Sequence, residues 1–336
     1  MSDYREQERK RQSELAKKTD IFEHSDTGAI YRKIGRDFIL KSNEKNLYKE
    51  IRENVMQYFK DFGISWWGGQ IPSGHLLSSQ IACLNHLFLL KNDPEMVLDI
   101  LKNICDELKE VLPIQCDNKT KKEELREPGY VAFEVVSDMD HLNEEQPKRG
   151  SNCTSIDALI LAKHKSDKTF LILIEWKYTE SYASFDKSLE DSKDMEKGNQ
   201  GKGKERLRRY STLINDSKYL VTKDGHRSSL YFQEPFYQLM RQTLWAEQMI
   251  VNKNKERIQA DDYLHLHVVP SENKDLLSHN YHRFEMEQGM EVAWREMLTE
   301  EGNKRYLRTD PQELIQPIKN KYSELYQYLT RRYYNK

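Results

Sequence analysis

A chain of 336 residues can bury a substantial core, as one large domain or as two ordinary ones. With 32% charged residues, 37% apolar residues and a net charge of −2, it falls outside the strongly basic class, so any nucleic-acid contact must be a local basic patch. Nineteen tyrosines and five tryptophans argue against a disordered chain, and the four cysteines (Cys83, Cys105, Cys116, Cys153) form no CxxC pair that would mark a zinc knuckle or redox motif.

In chain order, residues 1–27 alternate in charge and are expected as a solvated tail or a loosely held helix. No signal-peptide core follows the first methionine, and no apolar run reaches the roughly 18 residues of a membrane span. No membrane partner and a cytoplasmic location are therefore expected. A helical part is expected over 30–112. From Ile30 to Phe62 the helical period is carried by Leu47, Ile51, Val55, Tyr58, Phe59 and Phe62, and Gly63 closes it. Trp66-Trp67-Gly68-Gly69 reads as a buried turn. A strong helix is predicted from about Leu76 to Leu90, with Gln80 beside its apolar side, and another through about Leu112, before Pro113.

A core is expected over about 128–270. Tyr130 to Val136 is a predicted strand with Glu134 in its middle, an odd place for an acid unless it is paired or metal-bound. Residues 186–204 read as a mobile charged loop that leads into a basic helix over 205–214. Pro235 starts an amphipathic helix to Ile250, with Gln238, Arg241, Gln242 and Trp245 along one side. Tyr263 to Pro270 alternates as a strand, and helices are expected over 289–334. No internal repeat or linker divides 28–336, so one α/β domain with N- and C-terminal helical additions is the reading.

The most informative stretch is Ser155 to Tyr178. Two β-branched-rich apolar arms flank the polar break His164-Lys165-Ser166-Asp167-Lys168. A hairpin folded about Ser166 pairs 163 with 169, 161 with 171, and Asp157 with Glu175. Opposed residues share a face, as do residues two apart, so Asp157, Glu175 and Lys177 project together from one end of a greasy hairpin. Two carboxylates and an ammonium are the donor set of a hydrolytic Mg²⁺ site, where the cation polarises a phosphoryl oxygen and lysine orients water. The plainer reading of the same residues is a salt-bridge cluster, although ions inside a strand pair are costly unless fully compensated.

These residues resemble the PD-(D/E)XK nuclease superfamily: Ile156-Asp157, a gap of 17 residues, then Glu175-Trp176-Lys177. The wider setting is similar to a bacterial family of restriction endonucleases in that superfamily. It is carried by Ile71 to Gln80, Phe133-Glu134, Asn152 to Asp157, Glu175 to Ser181 and Pro235 to Arg241. The resemblance implies a restriction-endonuclease-like core, a mixed four-stranded sheet flanked by helices, with Mg²⁺-dependent phosphodiester hydrolysis in DNA. Mn²⁺ would be a substitute metal. Asp157 and Glu175 match the metal-binding acids and Lys177 the motif lysine. Ile156 stands where the motif has proline, and Glu134 matches only the extra upstream acid of many members; it is expected either as a further metal or water ligand in the same cleft, assisting Asp157 and Glu175, or as a strand acid that points to solvent. A homodimer is expected by analogy alone.

Other candidates carry competing readings. Gln238 and Arg241 could touch substrate phosphate, or pair with local acids. Lys202, Lys204, Arg206, Arg208 and Arg209 form the most basic cluster and could track a phosphate backbone, though a charge run is more often a solvated face. His265 and His267 share a strand face but lack a third ligand at sensible spacing, which favours packing; His75 reads as a helix-start residue. Alternatives to a DNA nuclease are an RNA or structure-specific nuclease, and a non-catalytic DNA-binding or defence-complex module with structural acids.

Overall fold

The computed structural model describes residues 3–67, 69–116, 128–145, 153–182, 186–190, 201–222, 225–278 and 289–334. The predicted hairpin lies inside a six-stranded mixed sheet, not the four-stranded one expected. Its strands are β1 Leu108–Leu112, β2 Val131–Val135, β3 Ile156–His164, β4 Thr169–Trp176, β5 Asp262–Val268 and β6 Tyr306–Thr309. The order runs β6-β5-β4-β3, and β1 and β2 then lie end to end along the far edge of β3. β1, β2 and β4 run antiparallel to β3, while β4, β5 and β6 run parallel. All but the first residue of β4 is buried, as expected of a near-continuous apolar run covered on both faces.

Helices close both faces of the sheet. On one face Ala158, Ile160, Ile172 and Ile174 meet α2 (Arg52–Asp61), α3 (Ser79–Leu87), α4 (Pro94–Lys102) and α8 (Ser323–Leu329). On the other, Leu159, Leu171 and Leu173 meet α5 (Lys202–Asp216), α6 (Phe236–Val251) and α7 (Met290–Glu296). Alternate residues of β4 thus serve opposite layers. Local signals start the helices: the Ser78 hydroxyl accepts from the Ile81 N–H, the Asp93 carboxylate from the Met96 N–H, and Pro94 occupies the first turn of α4.

Several expectations are corrected. The segment 30–62 is α-helical only at Arg52–Asp61, with short 3-10 turns at Asn43–Asn46 and Lys49–Ile51; Ile30–Tyr31 and Ile34–Gly35 form a short antiparallel ribbon. Every residue that carried the helical period lies from Leu47 onward, so nothing supported a helix before it. Leu108–Leu112, read as helix, is β1, and Tyr306–Thr309, between the two helical stretches expected of the tail at about Met290–Leu298 and Pro311–Tyr328, is β6. Runs this short have no decisive period, and the open backbone edges of β3 and β5 decide their conformation by supplying hydrogen-bond partners.

The charged amino-terminal stretch is a docked helix, α1 (Tyr4–Lys18), with Tyr4, Glu8, Gln12 and Ala16 buried at helical spacing. Trp66 is buried, as expected of the double-tryptophan turn, but Trp67 is not. Residues 191–200 of the expected charged loop lie outside the described residues.

Candidate active site

The hairpin register is the predicted one: Lys163 faces Thr169, Leu161 faces Leu171, and the ladder ends at Ala158 opposite Ile174. One step further sets Asp157 beside Glu175, and there the Asp157 carboxylate accepts the backbone N–H of Trp176 at 2.8 Å. Glu175 and Lys177, at the buried C-terminal end of β4, form an ion pair. Helix α6 reaches both with residues one turn apart. Gln238 accepts a hydrogen bond from Lys177 Nζ, and the Gln242 amide donates to Glu175 Oε2. Its other end meets His265 Nε2 at 2.8 Å. Because that end of the amide is an acceptor, the His265 proton sits on Nε2.

Glu134 completes the group from β2, whose continued register sets it opposite Asp157. It takes a left-handed backbone conformation, φ +51°, that few non-glycine residues adopt. Strand alternation breaks there: Val131 and Phe133 pack into one core, whereas Val135 packs into the other. The Glu134 carboxylate accepts from Gln80 Nε2 at 2.6 Å and from Ser155 Oγ at 3.1 Å. Glu134, Asp157, Glu175 and Lys177 all line one open cleft of about 790 Å³.

The electrostatics follow from three acids meeting one lysine. Burial first, then the nearby charges of Glu175 and Glu134, raise the Asp157 carboxyl well above the usual range, against the opposing pull of Lys177 and the Trp176 N–H. Burial alone would lower the Lys177 ammonium; the Glu175 carboxylate, with Tyr182, Glu180 and Asp157, reverses this and raises it well above its ordinary value. The surplus negative charge on hard oxygen donors suits a divalent cation such as Mg²⁺, which needs only one or two protein carboxylates. Among the described residues no group of three or more His, Cys, Asp or Glu side chains is arranged as a metal cage.

The remaining predicted residues divide. Arg241 lines the cleft, but its guanidinium bonds Glu144 at 3.0 Å and Thr154 Oγ1 at 3.0 Å. Glu144 also accepts from the Thr154 N–H and the Tyr210 hydroxyl, so it is a buried hub that no sequence signal marked. Lys204 and Arg208 are exposed on α5 and are not among the residues lining the cleft; Arg208 pairs with Glu205 and Glu145. His265 and His267 are buried packing residues, as their spacing implied. Gln242 shared the legible 3–4 spacing of Gln238. Arg5 on α1 also lines the cleft. So does Lys177, whose neighbour Tyr178 donates its hydroxyl to Glu8 at 2.6 Å and accepts from Gln12 at 2.9 Å.

An α/β sheet with acids and a lysine gathered at one strand end defines a class of candidate hydrolytic site. The sequence model of the family described as Restriction Endonuclease associating with ARP matches residues 3–334, and the chain belongs to that family. No curated protein and no solved structure matches the chain. Among the described residues no helix is long and apolar enough to cross a membrane.

Proposed function

We propose that the chain is a Mg²⁺-dependent DNA endonuclease of restriction or defence, hydrolysing phosphodiester bonds at a PD-(D/E)XK-type site on a restriction-endonuclease-like core. The observation that carries this reading is the convergence of Asp157, Glu175, Glu134 and Lys177 in one cleft with one positive charge among three acids. Membership of a restriction endonuclease family supports the same substrate class.

Asp157 and Glu175 would hold the cation. When bound, Mg²⁺, or Mn²⁺ in its place, polarises a phosphoryl oxygen and acidifies a water. Lys177 lies beside Glu175 and is bonded to Gln238, which fixes its ammonium at the end of β4. It serves as a fixed donor that positions the hydroxide and meets charge developing on the phosphate. Gln238 and Gln242 hold Lys177 and Glu175 in place from α6. Glu134, anchored by Gln80 and Ser155, adds negative charge beside Asp157.

A second reading is favoured by how fully the acids are already engaged: a nucleic-acid-binding module on the same fold, in which they are structural. Incubation of duplex and single-stranded DNA with Mg²⁺, Mn²⁺ or EDTA, beside Glu175→Gln and Lys177→Gln, separates the two. Cleavage that needs metal and is lost in both variants is expected. Metal-independent cleavage, or full activity in the variants, overturns the mechanism, and binding without cleavage under every condition favours the module.

A further inference from the structure

The indole of Trp67 lies in the cleft and is not used by the mechanism. Of the five tryptophans in the chain, Trp66, Trp176, Trp245 and Trp294 are buried, whereas Trp67 is 55% exposed. It nevertheless lines the same cleft as Asp157, Glu175 and Lys177. Its position is built from both sides. The preceding Trp66 stacks on Phe59 with ring centres 3.8 Å apart and planes at 15°, which anchors the loop in the core. Trp67 itself meets the buried His75 ring at 6.1 Å in a T-shaped contact, and His75 packs in turn on Phe38 and Tyr31.

The backbone adds a link to the acids. The Trp67 N–H donates to Gln80 Oε1 at 3.1 Å, and the Gln80 amide donates to Glu134 at 2.6 Å. Two hydrogen bonds therefore connect the backbone of the residue that carries the exposed ring to one of the acids at the candidate active site. A flat π-face open to the cleft is a surface on which a ring can stack.

We infer that Trp67 is a stacking platform for an unpaired base of the DNA strand whose backbone lies over the carboxylates. This deepens the nuclease reading and rests on it for the identity of the strand. Paired bases present their edges in the grooves and keep their faces covered by neighbours. A base that stacks on a side chain must be unstacked from its own strand, and any of the four bases can do so. The exposed Arg5 on the same cleft offers a cation for a neighbouring phosphate. The substrate class is thus single-stranded DNA, or duplex already opened at the cut.

Binding without cleavage tests this apart from catalysis. An oligothymidylate of about 16 nucleotides, and a blunt duplex of the same length, are titrated into the full chain in EDTA while tryptophan fluorescence is read. The single strand should quench the exposed indole and bind more tightly than the duplex. Trp67→Ala should lose the quench and weaken single-strand binding about tenfold or more, and Trp67→Tyr should restore much of the affinity. Unchanged affinity in Trp67→Ala, or tighter binding of the duplex with no quench, overturns the platform. Failure of the nuclease reading alone looks different: no cleavage with Mg²⁺ while the Trp67-dependent quench persists.

Discussion

Two clusters of charge in this molecule look alike in sequence and differ in what surrounds them. Lys177 and Glu175 are buried at the end of β4 beside the half-buried Asp157 and Glu180; the acids raise the Lys177 ammonium, and burial with the neighbouring acids raises the Asp157 carboxyl. Lys204 and Arg208 lie in water on α5, where Arg208 pairs with Glu205 and Glu145 on the surface. Such surface pairs gain little and are screened by salt.

The sharpest way to break that contrast is Lys177→Gln. It should lower cleavage by at least about 100-fold while the protein still melts cooperatively; near-normal turnover would put Lys177 with the surface cations. Next comes Glu144→Ala, which removes a buried carboxylate from the half-buried Arg241, the Thr154 N–H and the Tyr210 hydroxyl and should cost about 3 kcal/mol in urea denaturation. A loss below about 1 kcal/mol would mean that Arg241 is free to serve a phosphate.

A pH series extends the comparison to the buried histidines. Burial lowers His75 and His265 to about 4 and His86 to about 3, from 6.5. Their unfolded forms bind protons first, so the stability they contribute is full above about 6.5 and is lost as pH falls toward about 4, on the order of 3 kcal/mol for each. Asp157 acts in the opposite sense: its raised carboxyl binds a proton more readily folded than unfolded, so protonation favours the fold as pH falls. Denaturation midpoints between pH 7 and 4 should therefore fall, and fall further in Asp157→Asn. A flat profile would mean that the histidines are reached by water.

The smallest effect is expected from Arg208→Ala, which should leave the melting temperature and the cleavage rate unchanged. The slope of DNA affinity against salt decides whether this helix touches the backbone, because removing one phosphate contact lowers it by about 1.

The hairpin and its register were legible because a strand has a period of two and the polar break from His164 to Lys168 leaves one symmetric pairing. Asp157, Glu175 and Lys177 follow from that register without any knowledge of the rest of the chain. So does the Gln238 side of α6, since residues one turn apart share a helix face. Local chemistry repeats, and a repeat can be read.

Only the tertiary structure decided the rest. Leu108–Leu112 and Tyr306–Thr309 are strands because β3 and β5 have edges to fill. Glu8 and Gln12 look like ordinary members of a charged run, and are buried because Tyr178 offers them a hydroxyl from far along the chain. Arg241 is held by Glu144, an acid with no pattern around it. These are contacts between residues remote in sequence, and such contacts leave no period in the sequence for a reader to find.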